Sequence, residues 1–127
     1  MKHLFVILFS LLTLIANKSG CHTNKNNNNC FKGILVVKGA CLNYAISVTE
    51  GDMSNLQVQD WTDPQTNKHY SNAFAISNPC GFPDSIKEGD TFSFTLTDTA
   101  TDCARCLLYR ELPDKKHNIV IQNGGCK

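Results

Sequence analysis

Seven cysteines in a chain of 127 residues constrain the fold more than any other feature. They stand at Cys21, Cys30, Cys41, Cys80, Cys103, Cys106 and Cys126. In oxidising compartments cysteines persist as disulfides, and small exported domains use them as a framework where the apolar core is modest. An odd count leaves one cysteine to be accounted for. The other six can close three bridges, in any of about 15 connectivities, and sequence does not choose among them. Each bridge contributes on the order of 2–4 kcal/mol, chiefly by constraining the unfolded chain.

The odd cysteine is assigned by the N-terminal stretch. Lys2 and His3 form a short basic start, and residues 4–15 (LFVILFSLLTLI) are apolar apart from Ser10 and Thr13. A spanning helix needs about 20 apolar residues, so this run is too short to cross a bilayer. A basic start, a short apolar run and small residues at its exit are the layout of a secretory signal. No convincing A-x-A cleavage pattern follows; the junction is instead Ser19-Gly20-Cys21. That junction resembles a bacterial lipobox, in which a small residue precedes a cysteine that carries diacylglycerol and becomes the new N-terminus. Lys18 departs from the aliphatic residue usual there. The resemblance implies that Cys21 is lipidated and that Cys30, Cys41, Cys80, Cys103, Cys106 and Cys126 are the disulfide candidates. Parity and lipobox support each other.

Three segments follow from this: a signal peptide over 1–20, a lipid-anchored polar tether over 21–29 and one disulfide-rich domain over 30–127. The tether, HTNKNNNN after Cys21, has nothing apolar to bury. The whole chain holds 12 basic and 11 acidic residues. Without Lys2 and Lys18, ten basic face eleven acidic ones, and the charges alternate along the chain as on a solvated surface. Nucleic-acid partners are not expected, because they call for a clustered basic face.

The domain reads as mainly β. Residues 31–38 (FKGILVVK) are rich in β-branched side chains, and residues 42–49 (LNYAISVT) alternate apolar and polar with a period of two, which suggests a hairpin through Gly39-Ala40. Residues 56–61 (LQVQDW) alternate again, and residues 63–67 (DPQTN) have turn chemistry. Residues 69–77 return as a strand, residues 78–84 form a loop, and residues 91–97 (TFSFTLT) give the most regular strand. Residues 103–112 (CARCLLYREL) are the only candidate helix, with Thr101 or Asp102 as N-cap and Pro113 as stop. A last strand is expected over 117–123. Six short strands and at most one short helix imply a small antiparallel barrel of the OB type or a two-sheet sandwich, stapled by disulfides. The rhythm from Pro83 to Phe94, followed by cysteines, is loosely similar to the cysteine-rich barrels of the netrin/TIMP type, without the N-terminal Cys-x-Cys by which TIMPs grip metal.

Few residues suggest chemistry. Cys103-Ala104-Arg105-Cys106 is a CxxC that, at a helix N-terminus, could lower a thiol pKa and serve thiol–disulfide exchange. Thioredoxin-like enzymes set that motif in a βαβ frame, which the rest of this chain does not supply, so framework bridges are the preferred reading. Structural zinc shows two close cysteine pairs, and only one is present. There is no Gly-x-Ser-x-Gly and no glycine-rich phosphate loop, and the aspartates match no calcium loop. No metal and no cofactor is expected. Trp61, beside the Asp63-Pro64 turn, is the expected exposed aromatic contact. With its leader, Cys21, Asn-rich tether and cysteine-bearing β pattern, the chain resembles small envelope lipoproteins of the Bacteroidota type. The resemblance implies a binding or structural module, not an enzyme, anchored in the outer membrane and facing the periplasm or the cell surface. Its partners would be the membrane, through the lipid, and a protein or small-molecule ligand. The alternative is a thiol–disulfide oxidoreductase using Cys103 and Cys106.

Overall fold

Strand-forming alternation dominates the chain from Cys30 onward, and the computed structural model, which describes residues 29–104 and 106–126, is built from it. Cys21, the expected signal peptide over 1–20 and the expected tether up to residue 28 lie outside the described residues. The elements are β1 (Cys30–Gly39), β2 (Asn43–Glu50), β3 (Gln59–Thr62), β4 (His69–Ile76), β5 (Thr91–Leu96), β6 (Lys116–His117) and β7 (Ile119–Ile121). Three single-turn 3-10 helices join them: Ala40–Leu42, Met53–Asn55 and Pro79–Gly81.

The strands make one sheet in the order β3-β4-β2-β1-β5-β7, with β6 beside β4. All pairings are antiparallel except β4 with β6. The expected barrel and the expected pair of sheets are both corrected here: among the described residues there is one sheet, and it is not closed into a barrel. The reason lies in the last segment. Lys116 and His117 pair with the end of β4, and after Asn118 the chain leaves to pair with β5 through Ile119–Ile121. Two short ladders on opposite sides of the sheet replace the long strand that closure requires.

Side chains alternate across a strand, so the sheet sorts them onto two faces. On one face Phe31, Leu35, Tyr44, Ile46, Phe74 and Phe94 form the larger cluster, joined by Val48, Ile76, Phe82, Phe92 and Ile119. Its rings meet in offset and edge-on pairs, among them Phe31–Phe94 at 5.5 Å and Phe82–Phe92 at 5.5 Å between centroids. The other face carries a smaller cluster of Val36, Val37, Ala45, Trp61 and Ala73, against which Tyr70 and Leu112 pack. A register shift between Leu35 and Val37 puts both Leu35 and Val37 out of water, on different faces.

Loops are fixed by polar side chains. Lys38 Nζ donates to the carbonyls of Asp84 (3.0 Å) and Ile86 (2.6 Å) and stands over the Tyr44 ring. Asn78, 7% exposed, donates through Nδ2 to the Ile119 carbonyl and accepts the Ile119 amide on Oδ1, both at 2.9 Å. Gly51 has φ +128°, and a Cβ there would lie 2.5 Å from Phe31 Cδ1, so only glycine fits.

Six cysteines form three bridges: Cys30–Cys126, Cys41–Cys106 and Cys80–Cys103. Their Cα separations, 5.5, 5.2 and 5.8 Å, suit disulfides. Bridges of this kind go with an oxidising compartment outside the cytosol. Among the described residues no helix is long and apolar enough to cross a membrane.

Besides the split of the last strand, two elements differ from the sequence reading. Residues 56–58 are not strand: Leu56 N bonds back to the Met53 carbonyl, closing a turn, and the pairing begins only at Gln59. The described residues of 103–112 contain no helix. Cys103 and Cys106 are drawn to different parts of the fold, by Cys80 and by Cys41, and two or three turns of helix are marginal without packing.

Candidate functional site

The long connection from β5 to β6 crosses the fold without regular structure among its described residues, yet it is fastened at several points. Cys103 is bonded to Cys80 and Cys106 to Cys41. Four residues after Cys106, Arg110 Nη2 donates to Asp63 Oδ2 at 2.8 Å. Between those two anchors lie Leu107, Leu108 and Tyr109, exposed by 102%, 62% and 84%. Three consecutive large apolar side chains in water are unusual, since exposed apolar residues are commonly scattered singly and a contiguous patch marks a contact surface.

The loop is held, not merely present. Asn43 Nδ2 donates to the Leu108 carbonyl at 3.0 Å and to the Ala40 carbonyl at 2.7 Å, tying the exposed stretch to the start of β2. Cys41 and Leu42 both have positive φ, 61° and 62°, a backbone shape that non-glycine residues adopt rarely. This tight corner carries the Cys41 sulfur toward Cys106.

The second anchor is polar and buried. Asp63 is 1% exposed. Its Oδ1 accepts the Gln65 amide (3.1 Å) and its Oδ2 accepts Thr66 Oγ1 (2.8 Å), the bonding of an Asp-led turn. Burial opposes ionisation of this carboxyl. The hydrogen bonds from Thr66 and Gln65 and the Arg110 guanidinium outweigh burial and hold its pKa below the usual carboxylate range. Burial pushes the neighbouring Tyr70 hydroxyl up, and the charges of Asp63 and Glu88 add to this. Arg110 Nε is buried without a hydrogen-bond partner, so the guanidinium depends on Asp63 for its compensation.

A cavity of about 350 Å³ opens beside the loop. Cys41, Leu42, Cys106, Leu108, Leu112 and Pro113 supply much of its wall, and Asp114 and Lys116 stand on it as charged groups. A second groove, about 410 Å³, lies between the 97–101 segment and β7, lined in part by Thr97, Thr99, Thr101, Phe82 and Val120. Among the described residues no group of three or more His, Cys, Asp or Glu side chains comes together as metal ligands would.

The structure places the sequence candidates unevenly. Cys30, Cys41, Cys80, Cys103, Cys106 and Cys126 are all bonded, and Cys103 and Cys106 belong to separate bridges. Cys21 lies outside the described residues. Trp61 is not the exposed aromatic expected: it is 7% exposed and stacks on Tyr70 with centroids 6.0 Å apart. It pairs across the ladder with Tyr70 on the face that Leu112 helps to cover. Among the described residues the exposed aromatic is Tyr109. Leu107, Leu108 and Tyr109 were hidden in the sequence by the expectation of a helix, which would have given them a packed face. The available signal was three large apolar residues in a row beside a cysteine, a run that suits one face of neither a short helix nor a half-buried strand.

No protein-family model, curated protein or solved structure matches this chain.

Proposed function

We propose that this protein is a lipid-anchored binding module of the cell envelope that presents residues 107–109 to a partner. One observation carries the reading: Leu107, Leu108 and Tyr109 stand in water while a disulfide at Cys106 and a buried ion pair at Arg110 fix the loop on either side. Pre-fixing a contact loop lowers the entropy lost on binding, and apolar and aromatic side chains dominate the cores of protein contacts. The pairing of the six cysteines from Cys30 to Cys126 among themselves is what the assignment of lipid to Cys21 requires. An outer-membrane anchor facing the periplasm suits that assignment.

Geometry also supports a partner other than the anchoring bilayer. The tether joins at Cys30, and β1 runs ten residues from there to Gly39. At about 3.3 Å per residue this is roughly 30 Å, with the Cys41–Cys106 bridge at the far end. The competing thiol–disulfide enzyme finds no support in the geometry, because Cys103 and Cys106 are bonded to different partners.

The test is a photo-crosslinking residue at position 109 of the full chain, expressed in cells and followed through membrane fractionation. Discrete adducts in the membrane fraction, absent when the same residue replaces exposed Asp52, are expected. No adduct from position 109, or equal labelling from position 52, would remove the basis for the reading.

A further inference from the structure

We infer that the loop's partner is a second copy of this chain, an inference that rests on the binding role just proposed for residues 107–109. A two-fold contact is self-complementary: the same face must carry both a projection and the recess that receives it. This face carries both. Leu107, fully exposed, projects beside the 350 Å³ cavity without lining it, while Leu108 and Tyr109 form part of the wall. At about 30 Å³ per water, the cavity holds on the order of ten waters, enough to admit a leucine side chain of four carbons.

Charge agrees with shape. Glu111, Asp114, Lys115 and Lys116 are all exposed in the stretch that follows the loop, two of each sign within six residues. A partner of one strong charge would meet repulsion from half of them, whereas a copy turned by two-fold symmetry can set acids against lysines. The recess sits beside the projection, so two copies can exchange Leu107 side chains reciprocally, each entering a cavity of mixed lining and meeting the apolar part of its wall, Leu42, Leu108, Leu112 and Pro113.

The test uses the exported chain in two preparations: Cys21→Ser, which keeps all six bridge cysteines, and the acylated wild type in density-matched detergent. Sedimentation equilibrium between 1 and 100 µM is expected to show a monomer–dimer equilibrium in both. Leu107→Asp is expected to weaken the dimer at least tenfold while leaving the thermal unfolding midpoint unchanged at concentrations where both proteins are monomeric, because in the monomer an exposed side chain supports no packing. The position-109 crosslink is then expected at twice the monomer mass. A wild type that stays monomeric at 100 µM in both preparations overturns the inference, as does a Leu107→Asp dimer of unchanged strength. If the chain is monomeric and position 109 labels a different protein, the second copy is wrong and the binding loop stands. If the Cys21→Ser chain instead floats with phosphatidylethanolamine–phosphatidylglycerol vesicles and Leu107→Asp abolishes flotation, the loop meets lipid and the inference is likewise overturned.

Discussion

Arg110 and Asp63, 47 residues apart, meet at 2.8 Å and fix the exit of the apolar loop. Asp63 begins the turn between β3 and β4, so the pair joins a local turn to a distant irregular segment. The Asp63 side chain is 2% exposed and that of Arg110 18%, so the bond is shielded from water on one side and partly wetted on the other. Removing one partner of a buried pair leaves the other charge uncompensated. Asp63→Asn is expected to destabilise the domain by on the order of 3 kcal/mol, the low end for such a change because Arg110 retains some water. Denaturant unfolding measures it; a loss below about 0.5 kcal/mol would show that the pair is decorative.

The same carboxyl sets an acid limb. Its folded pKa lies below that of an unfolded aspartate, about 3.9. The ionised form is therefore favoured by folding, and its contribution is complete above the unfolded value and lost as pH falls from about 5 through the folded one. Thermal midpoints of the wild type should fall over that range. Asp63→Asn should start lower and lose less over the same range, and two parallel curves would assign the acid limb to other carboxyls.

What the sequence disclosed and what it hid divide along a physical line. Local pattern made β1, β2, β4 and β5 legible: β-branched richness marked β1, and in β2 and β5 Tyr44, Ile46 and Val48, or Phe92 and Phe94, announce a buried face within the strand itself. The split of the last strand at Asn118 was not legible: it follows from β4 and β5 competing for the same few residues. Nor was the loop at 107–109. Its conformation is set by Cys41, Asp63 and Asn43, each more than 40 residues away in sequence. Trp61 was misplaced for the same reason, since the segment that helps cover its face comes from beyond residue 109.

The three bridges are expected to differ in consequence. Cys41–Cys106 closes a separation of 65 residues and also fixes the loop; its loss as Cys41→Ser with Cys106→Ser should cost on the order of 2–5 kcal/mol. Because the loop's first anchor goes with it, limited proteolysis by chymotrypsin should cut at residues 107–109 markedly faster than in the wild type. Equal cutting rates would mean that the ion pair and Asn43 suffice to hold the loop.

Cys21→Ser is expected to release the chain from the membrane fraction. Acyl chains supply membrane affinity by burying methylene groups, about 0.8 kcal/mol each, and the described residues offer no apolar helix long enough to replace them. Intact mass of the membrane-extracted wild type should show the lipid on Cys21 and no free thiol. A wild type already soluble and without lipid would reassign the seventh cysteine.

The last prediction concerns Asn78, whose side-chain amide takes the place of a neighbouring strand. It satisfies both the N–H and the C=O of Ile119, each at 2.9 Å, and is itself buried. The ladder between β5 and β7 has Thr97 N donating to the Asn118 carbonyl and Gln122 N donating to the Ser93 carbonyl, so the backbone groups of Ile119 point the other way, to β7's outer edge. Ile119 is 6% exposed, so without Asn78 those two groups would be left unpaired, at about 1–3 kcal/mol for each unsatisfied group. Asn78→Ala should therefore cost on the order of 2–4 kcal/mol in denaturant unfolding. Asn78→Asp, nearly the same shape, keeps an acceptor for the Ile119 amide but sets a carboxylate oxygen against the Ile119 carbonyl, and it should be no better than alanine at neutral pH. It should recover part of the loss below about pH 4, where the protonated acid can donate again. Hydrogen exchange at the Ile119 amide provides the local readout: strong protection in the wild type, and faster exchange in Asn78→Ala than at Phe94, whose strand keeps its neighbours. If the Ile119 amide exchanges equally slowly in both proteins, another group is covering β7 and Asn78 is not its surrogate strand.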